Sequence, residues 1–557
     1  MRELRGIGVS AGTVVGPVAR FVRELVEPAA DPAPDDPAAE VGRLAAALAD
    51  TAAELEQRAA AVSGPAAEVL EATALMAADP GLADGATAAV RDRKLPAARA
   101  VWEAFAGYRE ALAAAGGYLA ARVADLDDVR DRVVARLLGV PLPGVPDPGH
   151  PFVLVAADLA PADTATLRPD VVLAIVTEQG GPTSHTAILA NALGIPAVVA
   201  CPGALSIADG TVVAVDGGAG AVTVEPERST VDEFERRTAA LAAARGTVTG
   251  VGRTSDGAEV ALLANVGDAA GMTAAMAAGA GGVGLFRTEF LFLDRTTAPG
   301  RAEQVAAYRA VFEQAGGHRV VVRTLDAGAD KPLPFLGLEP EPNPALGVRG
   351  LRTAAARPEI LAEQLAAIAE ASTGTDADVW VMAPMVSTPD EAADFVGQAH
   401  AAGLRPAGIM VEVPAVALTA TACLSEVDFA SIGTNDLGQY ALAADRQSAA
   451  LAGLTSPWQP GLLRLVALTA GAGKELGRPV GVCGEAAGDP GLAVVLVGLG
   501  VTSLSMTPRS LAAVSAALAS VDLAGAQELA ARVLAARSAG DARDLARAAL
   551  PVLADLG

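Results

Sequence analysis

The sequence predicts a multidomain α/β protein, in which a small α/β domain with an inserted helical bundle precedes a (β/α)8 TIM-type barrel. Three observations carry this. Residues 38–139 show apolar positions three and four apart over long stretches. Short β-branched runs surround a Gly-rich turn at Gly180-Gly181, and from Val260 onward strand and helix patterns alternate eight times. At 557 residues the chain is too long for one core and calls for about three domains.

Arg5 to Val22 reads as two short strands, Gly6-Ile7-Gly8-Val9-Ser10 and Val14-Val15-Gly16-Pro17-Val18. The acidic, proline-rich Glu27 to Pro37 reads as a linker. Helices follow over Glu40 to Ala61, Ala66 to Ala77, Leu82 to Asp92, Pro96 to Ala115 and Tyr118 to Leu138. In the last, Val123, Leu126, Val129, Val133, Val134, Leu137 and Leu138 form the expected buried face of a bundle. No catalytic cluster falls there, which leaves an inert bundle and a docking platform for another protein equally open.

After a proline-rich break at Pro141 to Pro148, strands return at Phe152 to Val155, Val171 to Val176, Ala197 to Val199, Thr211 to Val215 and Ala221 to Val224. The first 22 residues complete this domain by chain return. Ser229 to Arg245 is a charged connector helix, about 25 Å long at the helical rise. The barrel strands are expected at Val260 to Asn265, Gly282 to Phe286, Val320 to Thr324, Val379 to Ala383, Gly408 to Val411, Phe429 to Ile432, Val480 to Val482 and Ser503 to Ser505. The expected domains are therefore 1–25 with 141–227, 36–140, a linker at 228–250, and a barrel over 251–557.

Between the strand at Val171 to Val176 and an apolar-periodic helix lies Gly180-Gly181-Pro182-Thr183-Ser184-His185-Thr186-Ala187-Ile188. Thr183 or Ser184 can cap that helix, which puts His185 in its first turn beside unpaired N–H groups and the positive end of the helix dipole. A phosphoryl group is favoured there, so His185 is a candidate phosphohistidine. A lone histidine beside glycines also serves as a cap or core residue, and spacing alone leaves both readings open.

The formal net charge of −24 weighs against nucleic acid and anionic membrane, which select basic surfaces. An anionic small substrate stays possible, because salt screens distant carboxylates over about 8 Å. Cys201, Cys423 and Cys483 are far apart and lack metal-ligand spacing, which fits a reducing compartment and argues against a disulfide framework or zinc site. No long uncharged apolar stretch or signal core stands out, and a soluble cytoplasmic protein is expected.

Past the carboxyl ends of the barrel strands fall Asn265, Arg287-Thr288-Glu289, Arg323-Thr324-Leu325-Asp326, Glu412, Asn435-Asp436, Cys483-Gly484-Glu485 and Arg509. Barrel active sites lie at that face. Glu412 and Asp436 follow adjacent strands and can together hold one Mg²⁺, which takes hard oxygen ligands and substrate phosphate. Arg287, Arg323 and Arg446 offer planar forks for phosphate and carboxylate. By default Cys483 is a small core residue; facing an enolate it is a candidate proton donor. His150, His318 and His400 carry no assigned chemistry.

With these residues in place, the chain resembles the phosphoenolpyruvate-protein phosphotransferases, the Enzyme I family of the bacterial sugar phosphotransferase system. The resemblance rests on the histidine stretch and on Gly284-Leu285-Phe286-Arg287-Thr288-Glu289-Phe290-Leu291-Phe292, Arg323-Thr324-Leu325-Asp326, Asp330-Lys331 and Asn343-Pro344-Ala345-Leu346-Gly347-Val348-Arg349. It continues through Gly408-Ile409-Met410-Val411-Glu412, Ser431-Ile432-Gly433-Thr434-Asn435-Asp436-Leu437, Asp445-Arg446 and Val482-Cys483-Gly484-Glu485, in family order across nearly the whole chain. It implies that His185 is phosphorylated on Nε2, and that Arg287, Arg323, Asn435, Asp436 and Arg446 bind phosphoenolpyruvate. It further implies that Glu412 and Asp436 ligate Mg²⁺ and that Cys483 protonates the enolate to pyruvate.

On the same basis the histidine domain swivels between the barrel and the phosphocarrier protein HPr, which docks on the helical segment, and two barrels pair as a homodimer. Pro182 departs from the family, where a better-known branch carries a basic residue; this affects local geometry and not the nucleophile. Two alternatives are weighed. A pyruvate phosphate dikinase or phosphoenolpyruvate synthase needs an ATP domain, and the residues before the histidine domain lack a Gly-rich nucleotide loop. A non-catalytic regulatory homologue would be expected to have lost some strand-end residues, and the set is intact.

Overall fold

Two separate stretches of alternating apolar residues, one at the amino terminus and one after the helical segment, build a single sheet. The computed structural model describes residues 2–10, 12–21, 25, 27–60, 65–115, 123–140, 145–146, 148–159, 167–181, 184–293, 295–328, 333–339, 341–445, 451 and 453–556. The chain divides into two units, 1–236 and 237–556.

The strands of the first unit are β1 (Arg2–Arg5), β2 (Ile7–Ser10), β3 (Thr13–Arg20), β4 (Phe152–Ala156), β5 (Val172–Thr177), β6 (Ala197–Val199), β7 (Val212–Asp216) and β8 (Ala221–Val224). They form one mixed sheet in the order β1-β8-β7-β3-β4-β5-β6-β2. β3 joins its two halves, pairing antiparallel with β7 (Val15↔Ala214) and parallel with β4 (Ala19↔Leu154). Successive side chains point to opposite faces, so Val153, Val155, Ala174 and Val176 enter one core and Phe152, Leu154 and Ile175 the other.

The amino terminus supplies three strands where two were expected. β1 was missed because it is a polar edge strand, mostly exposed, held by backbone pairing to β8 and carrying no apolar alternation. Between β3 and β4 the chain leaves the sheet for helices Pro37–Ala60, Pro65–Ala77, Pro80–Arg93, Ala97–Ala115 and Val123–Leu138, so the bundle is an insertion in the sheet domain. Leu44, Leu55, Val101, Phe105, Leu126, Val129, Val133, Val134 and Leu137 meet in its core. Leu138, expected on the buried face, is 47% exposed, because it ends its helix and no further turn covers it.

The second unit carries β9 (Val251–Arg253), β10 (Glu259–Val266), β11 (Gly282–Arg287), β12 (Arg319–Arg323), β13 (Asp378–Ala383), β14 (Ala407–Val411), β15 (Phe429–Ile432), β16 (Val480–Val482) and β17 (Ser503–Met506). β10 to β17 run parallel, each pairing with the next, and β10 also pairs with β17, which closes an eight-stranded barrel. All eight expected barrel strands are present, their ends within one residue of the expected bounds. β9, too short to show a period, extends β10 as an antiparallel edge.

Outward residues such as Val320, Val322, Val381, Ile409, Val411 and Ile432 pack under the surrounding helices. Leu285, Val321, Met382, Met410, Phe429 and Cys483 point inward. Among the described residues no single helix is long and apolar enough to cross a membrane. The bent pair Pro508–Ala519 and Leu523–Leu534 meets that test jointly, but its Leu511, Val514, Leu518, Leu529 and Val533 lie in the barrel core.

Candidate active site

β5 ends at Thr177, whose hydroxyl donates to the Gln179 carbonyl at 2.7 Å and starts the turn toward the histidine. Gly180 has φ +92°, a conformation L side chains avoid, and lets the chain reverse. Ser184 is the N-cap: its Oγ accepts the Ala187 N–H at 3.3 Å, and His185 is the first residue of helix His185–Leu193. That cap leaves other first-turn N–H groups for an anion. Thr186 anchors the turn by donating to Asp158 Oδ1 at 3.3 Å. Pro182 and Thr183, the other proposed cap, lie outside the described residues.

In the barrel, the ends of β11, β12 and β14 and the first turn after β15 hold most of the expected residues. Arg323, the last residue of β12, is 6% exposed; its Nη2 donates to Glu289 Oε1 at 2.7 Å, and its Nη1 pairs with Asp326 Oδ2 at 2.8 Å. Burial opposes its charge, but Asp326, Glu289 and Glu412 outweigh that and hold its pKa above the usual arginine range. Arg287 ends β11 exposed and has no ion pair among the described residues, which leaves its fork open to solvent. Arg446 and Asp330-Lys331 lie outside the described residues.

Glu412 follows β14 and is 1% exposed, with Oε1 accepting the Met385 N–H at 2.6 Å. A side chain at Gly433 would bring a Cβ to 2.9 Å from Glu412 Oε2, so glycine keeps that oxygen clear. Burial first, then Asp326 and Asp436, push the Glu412 carboxyl up to about 8, with Arg323 pulling the other way. Asp436 sits in the first turn of helix Thr434–Leu442, and Asn435 beside it accepts the Glu485 N–H at 3.1 Å.

This surplus of buried carboxylate suits a divalent cation, whose charge would relieve the repulsion and whose preferred ligands are such oxygens. Among the described residues no three His, Cys, Asp or Glu side chains form a closed metal cluster. A two-carboxylate set fits Mg²⁺ better than such a cluster, since Mg²⁺ keeps positions for substrate oxygens and water.

Cys483 follows β16 and is 3% exposed, with Sγ donating to the Ile432 carbonyl at 3.6 Å. Burial pushes its thiol up to about 11 against the lowering effects of Ser431, Arg323 and Arg287, so it holds its proton at neutral pH. Asn265 fixes its peptide, donating from Nδ2 to the Cys483 carbonyl at 3.2 Å. A protonated thiol held beside arginine forks and carboxylates can serve as a general acid. Arg509 sits in the Pro508–Ser510 turn, with its pKa lowered by burial.

The structure thus places Glu412 in electrostatic reach of Arg323, Asp436 and Cys483 at the carboxyl end of the barrel. Two contributors were not singled out by the sequence reasoning. Arg349, 1% exposed, donates from Nη2 to both oxygens of Asp326 at 3.1 and 3.3 Å and from Nη1 to Asp436 Oδ1 at 3.3 Å. Gln364, fully buried, accepts the Leu325 N–H at 2.9 Å and donates to Thr288 Oγ1 at 3.0 Å. The available signal for Gln364 was a polar residue on the apolar stripe of helix Pro358–Ser372, between Leu361 and Leu365. Arg349 had none beyond its motif.

Residues 242–523 match the PEP-utilising enzyme, PEP-binding domain; residues 5–122 match the PEP-utilising enzyme, N-terminal, and residues 148–220 the PEP-utilising enzyme, mobile domain. A phosphoenolpyruvate-protein phosphotransferase of Streptomyces coelicolor is 54% identical over 554 residues, covering 98% of this chain and 99% of that protein. One of Haloferax volcanii is 42% identical over 485 residues, 84% of each chain. A solution NMR structure of Enzyme I (nEIt) aligns at 32% identity and TM-score 0.37, over 42% of this chain and 98% of its own.

Proposed function

This chain belongs to the PEP-utilising enzymes, among the phosphoenolpyruvate-protein phosphotransferases, and from that premise we propose that it passes the phosphoryl group of phosphoenolpyruvate to His185 and then to HPr, the first step of sugar phosphotransfer. The observation that carries the reading is the meeting of arginine forks, paired carboxylates and a protonated thiol at one barrel mouth.

Arg287, its fork open, and Arg323, its fork held by Glu289 and Asp326, bind the phosphate and carboxylate of phosphoenolpyruvate with Asn435 and Arg446. Glu412 and Asp436 hold Mg²⁺, which when bound offsets the charge developing on phosphoryl and enolate oxygens. The bond between phosphorus and the enol oxygen breaks as one forms to His185 Nε2. Positioning and charge neutralisation supply most of the catalysis in such a transfer. Cys483 Sγ then gives its proton to the enolate carbon, and pyruvate leaves. In the second half-reaction the phosphorus–nitrogen bond breaks and the phosphoryl group moves to a histidine of HPr.

In this reading residues 36–140 dock HPr, residues 1–25 with 141–227 carry the phosphohistidine, 228–250 form the linker, and 251–557 bind substrate and pair two chains as a homodimer. The helix Arg228–Arg245 supplies the linker. The test incubates the full chain with labelled phosphoenolpyruvate and Mg²⁺, then adds HPr. Acid-labile label on the wild type, absent from His185→Ala and discharged to HPr, is expected. Label refused by HPr would overturn the acceptor, and label absent from the wild type would overturn the reaction.

A further inference from the structure

Barrels of this kind normally fill their interior with layers of branched apolar side chains. Beneath Cys483 small polar side chains interrupt that filling on one side. β15 brings Ser431 to the interior, β17 brings Ser503 and Ser505, and β16 and β11 offer only Gly481 and Gly284. Ser431 stands opposite Gly481, which stands opposite Ser503. Neither glycine position has room for a side chain: a Cβ at Gly481 would collide with Ser503 Oγ, and one at Gly284 would lie 2.6 Å from Ser505 Oγ.

The result is a small cleft with about 20 Å³ of space for water, room for about one molecule, lined by these groups, by Arg319 and by apolar side chains that include Leu263, Val321, Trp380 and Phe429. Arg319 opens β12 at the amino-terminal end of the barrel; its guanidinium lies 3.7 Å from the Trp380 ring centroid, and its side chain is 32% exposed. The cavity therefore leads from that end up to Ser431, which pairs with Gly481, the inward position just before Cys483, and whose hydroxyl acts to lower the thiol's pKa. Ser505 Oγ donates to Asn265 Oδ1 at 2.6 Å, and Asn265 holds the Cys483 carbonyl, so the two serines bracket the cysteine. Hydroxyls from three positions and a guanidinium give water the two to four partners it needs to be held in a protein interior.

Each turnover costs Cys483 one proton, which must be replaced before the next. We infer that Ser431 and water in this cavity form a proton relay that recharges Cys483 from the opposite end of the barrel. The inference rests on Cys483 being the donor. The Cys483 thiolate takes the Ser431 Oγ proton, Ser431 takes one from cavity water, and that water takes one from solvent. One solvent proton enters per pyruvate formed, and no charge is left behind.

The test uses the full chain with Mg²⁺ and pyruvate in D2O, following exchange of the pyruvate methyl protons by NMR. Transfer of label from phosphoenolpyruvate to His185 is measured in parallel. Ser431→Ala is expected to slow exchange at least ~10-fold more than it slows label transfer, and Ser431→Thr, which keeps the hydroxyl, to stay within about 2-fold of wild type. Ser503→Val, which fills the cavity and leaves Ser431 in place, is expected to slow exchange as well. Exchange at the wild-type rate in Ser431→Ala, equal slowing by Ala and Thr, or exchange and label transfer falling together would each overturn the relay. Wild-type exchange in Cys483→Ala would instead overturn the donor assignment; loss of exchange in that variant alone leaves the donor and removes only the relay.

Discussion

The inward position of Cys483, among Leu285, Val321, Met382 and Met410, decides which form of the thiol exists. Its pKa is raised by burial to about 11, so the folded protein prefers the protonated thiol and the unfolded chain ionises first. The stability this contributes is complete below the ordinary thiol pKa of 9.0 and is lost as pH rises through about 11. The loss amounts to roughly 2–3 kcal/mol, so the stability gap between wild type and Cys483→Ala, read from denaturant titrations, is expected to narrow by that amount between about pH 8 and pH 12. At the same scale, the sequence placed Arg287, Arg323, Glu412 and Asp436 at strand ends, because strand periodicity and the Gly and Pro breaks mark where strands stop. It did not separate the open fork of Arg287 from the paired one of Arg323, since pairing depends on Glu289 and Asp326 turning toward the same point.

At the scale of elements, one side chain fastens several parts of the barrel wall. Gln364, on helix Pro358–Ser372, takes the Leu325 N–H beyond β12 and gives its amide protons to Thr288 Oγ1 beyond β11 and, at 3.1 Å, to Tyr308 OH. Thr288 Oγ1 in turn donates to the Arg323 carbonyl at 2.8 Å. Gln364→Leu keeps the bulk and strands these buried groups, at a cost of roughly 1–3 kcal/mol for each group left unpaired. A lower denaturation midpoint and a higher KM for phosphoenolpyruvate are expected, because Arg323 and Glu289 lose their fixed setting. A variant with unchanged midpoint and KM would show that the network is dispensable. The strand and helix alternation implied a helix between β12 and β13, but the destination of its one buried amide depends on three elements far apart in the chain.

Across the whole molecule, each unit has cores of its own: two faces of a mixed sheet and a helical bundle in one, and a barrel with its helical coat in the other. Scanning calorimetry is therefore expected to resolve separate transitions for 1–236 and 237–556. Phosphoenolpyruvate with Mg²⁺ should raise the barrel transition, by about 2.7 kcal/mol at a concentration 100 times Kd, and leave the other in place in His185→Ala. Both transitions moving together in that variant would contradict independent units.

The sequence by itself determined the eight barrel strands, the inserted bundle, the capped turn ahead of His185 and the order of polar residues at the strand ends. Each is a local property: side-chain period, cap chemistry and turn residues act over a few positions of the chain. Only the tertiary structure decided that β3 links the two halves of a sheet, that Arg349 joins Asp326 and Asp436 across 23 and 87 residues, and that glycines and serines open a small cleft under Cys483. Charge pairing and packing voids arise when strands close into a barrel and bring distant residues within a few ångströms, and no local period in the chain encodes that meeting.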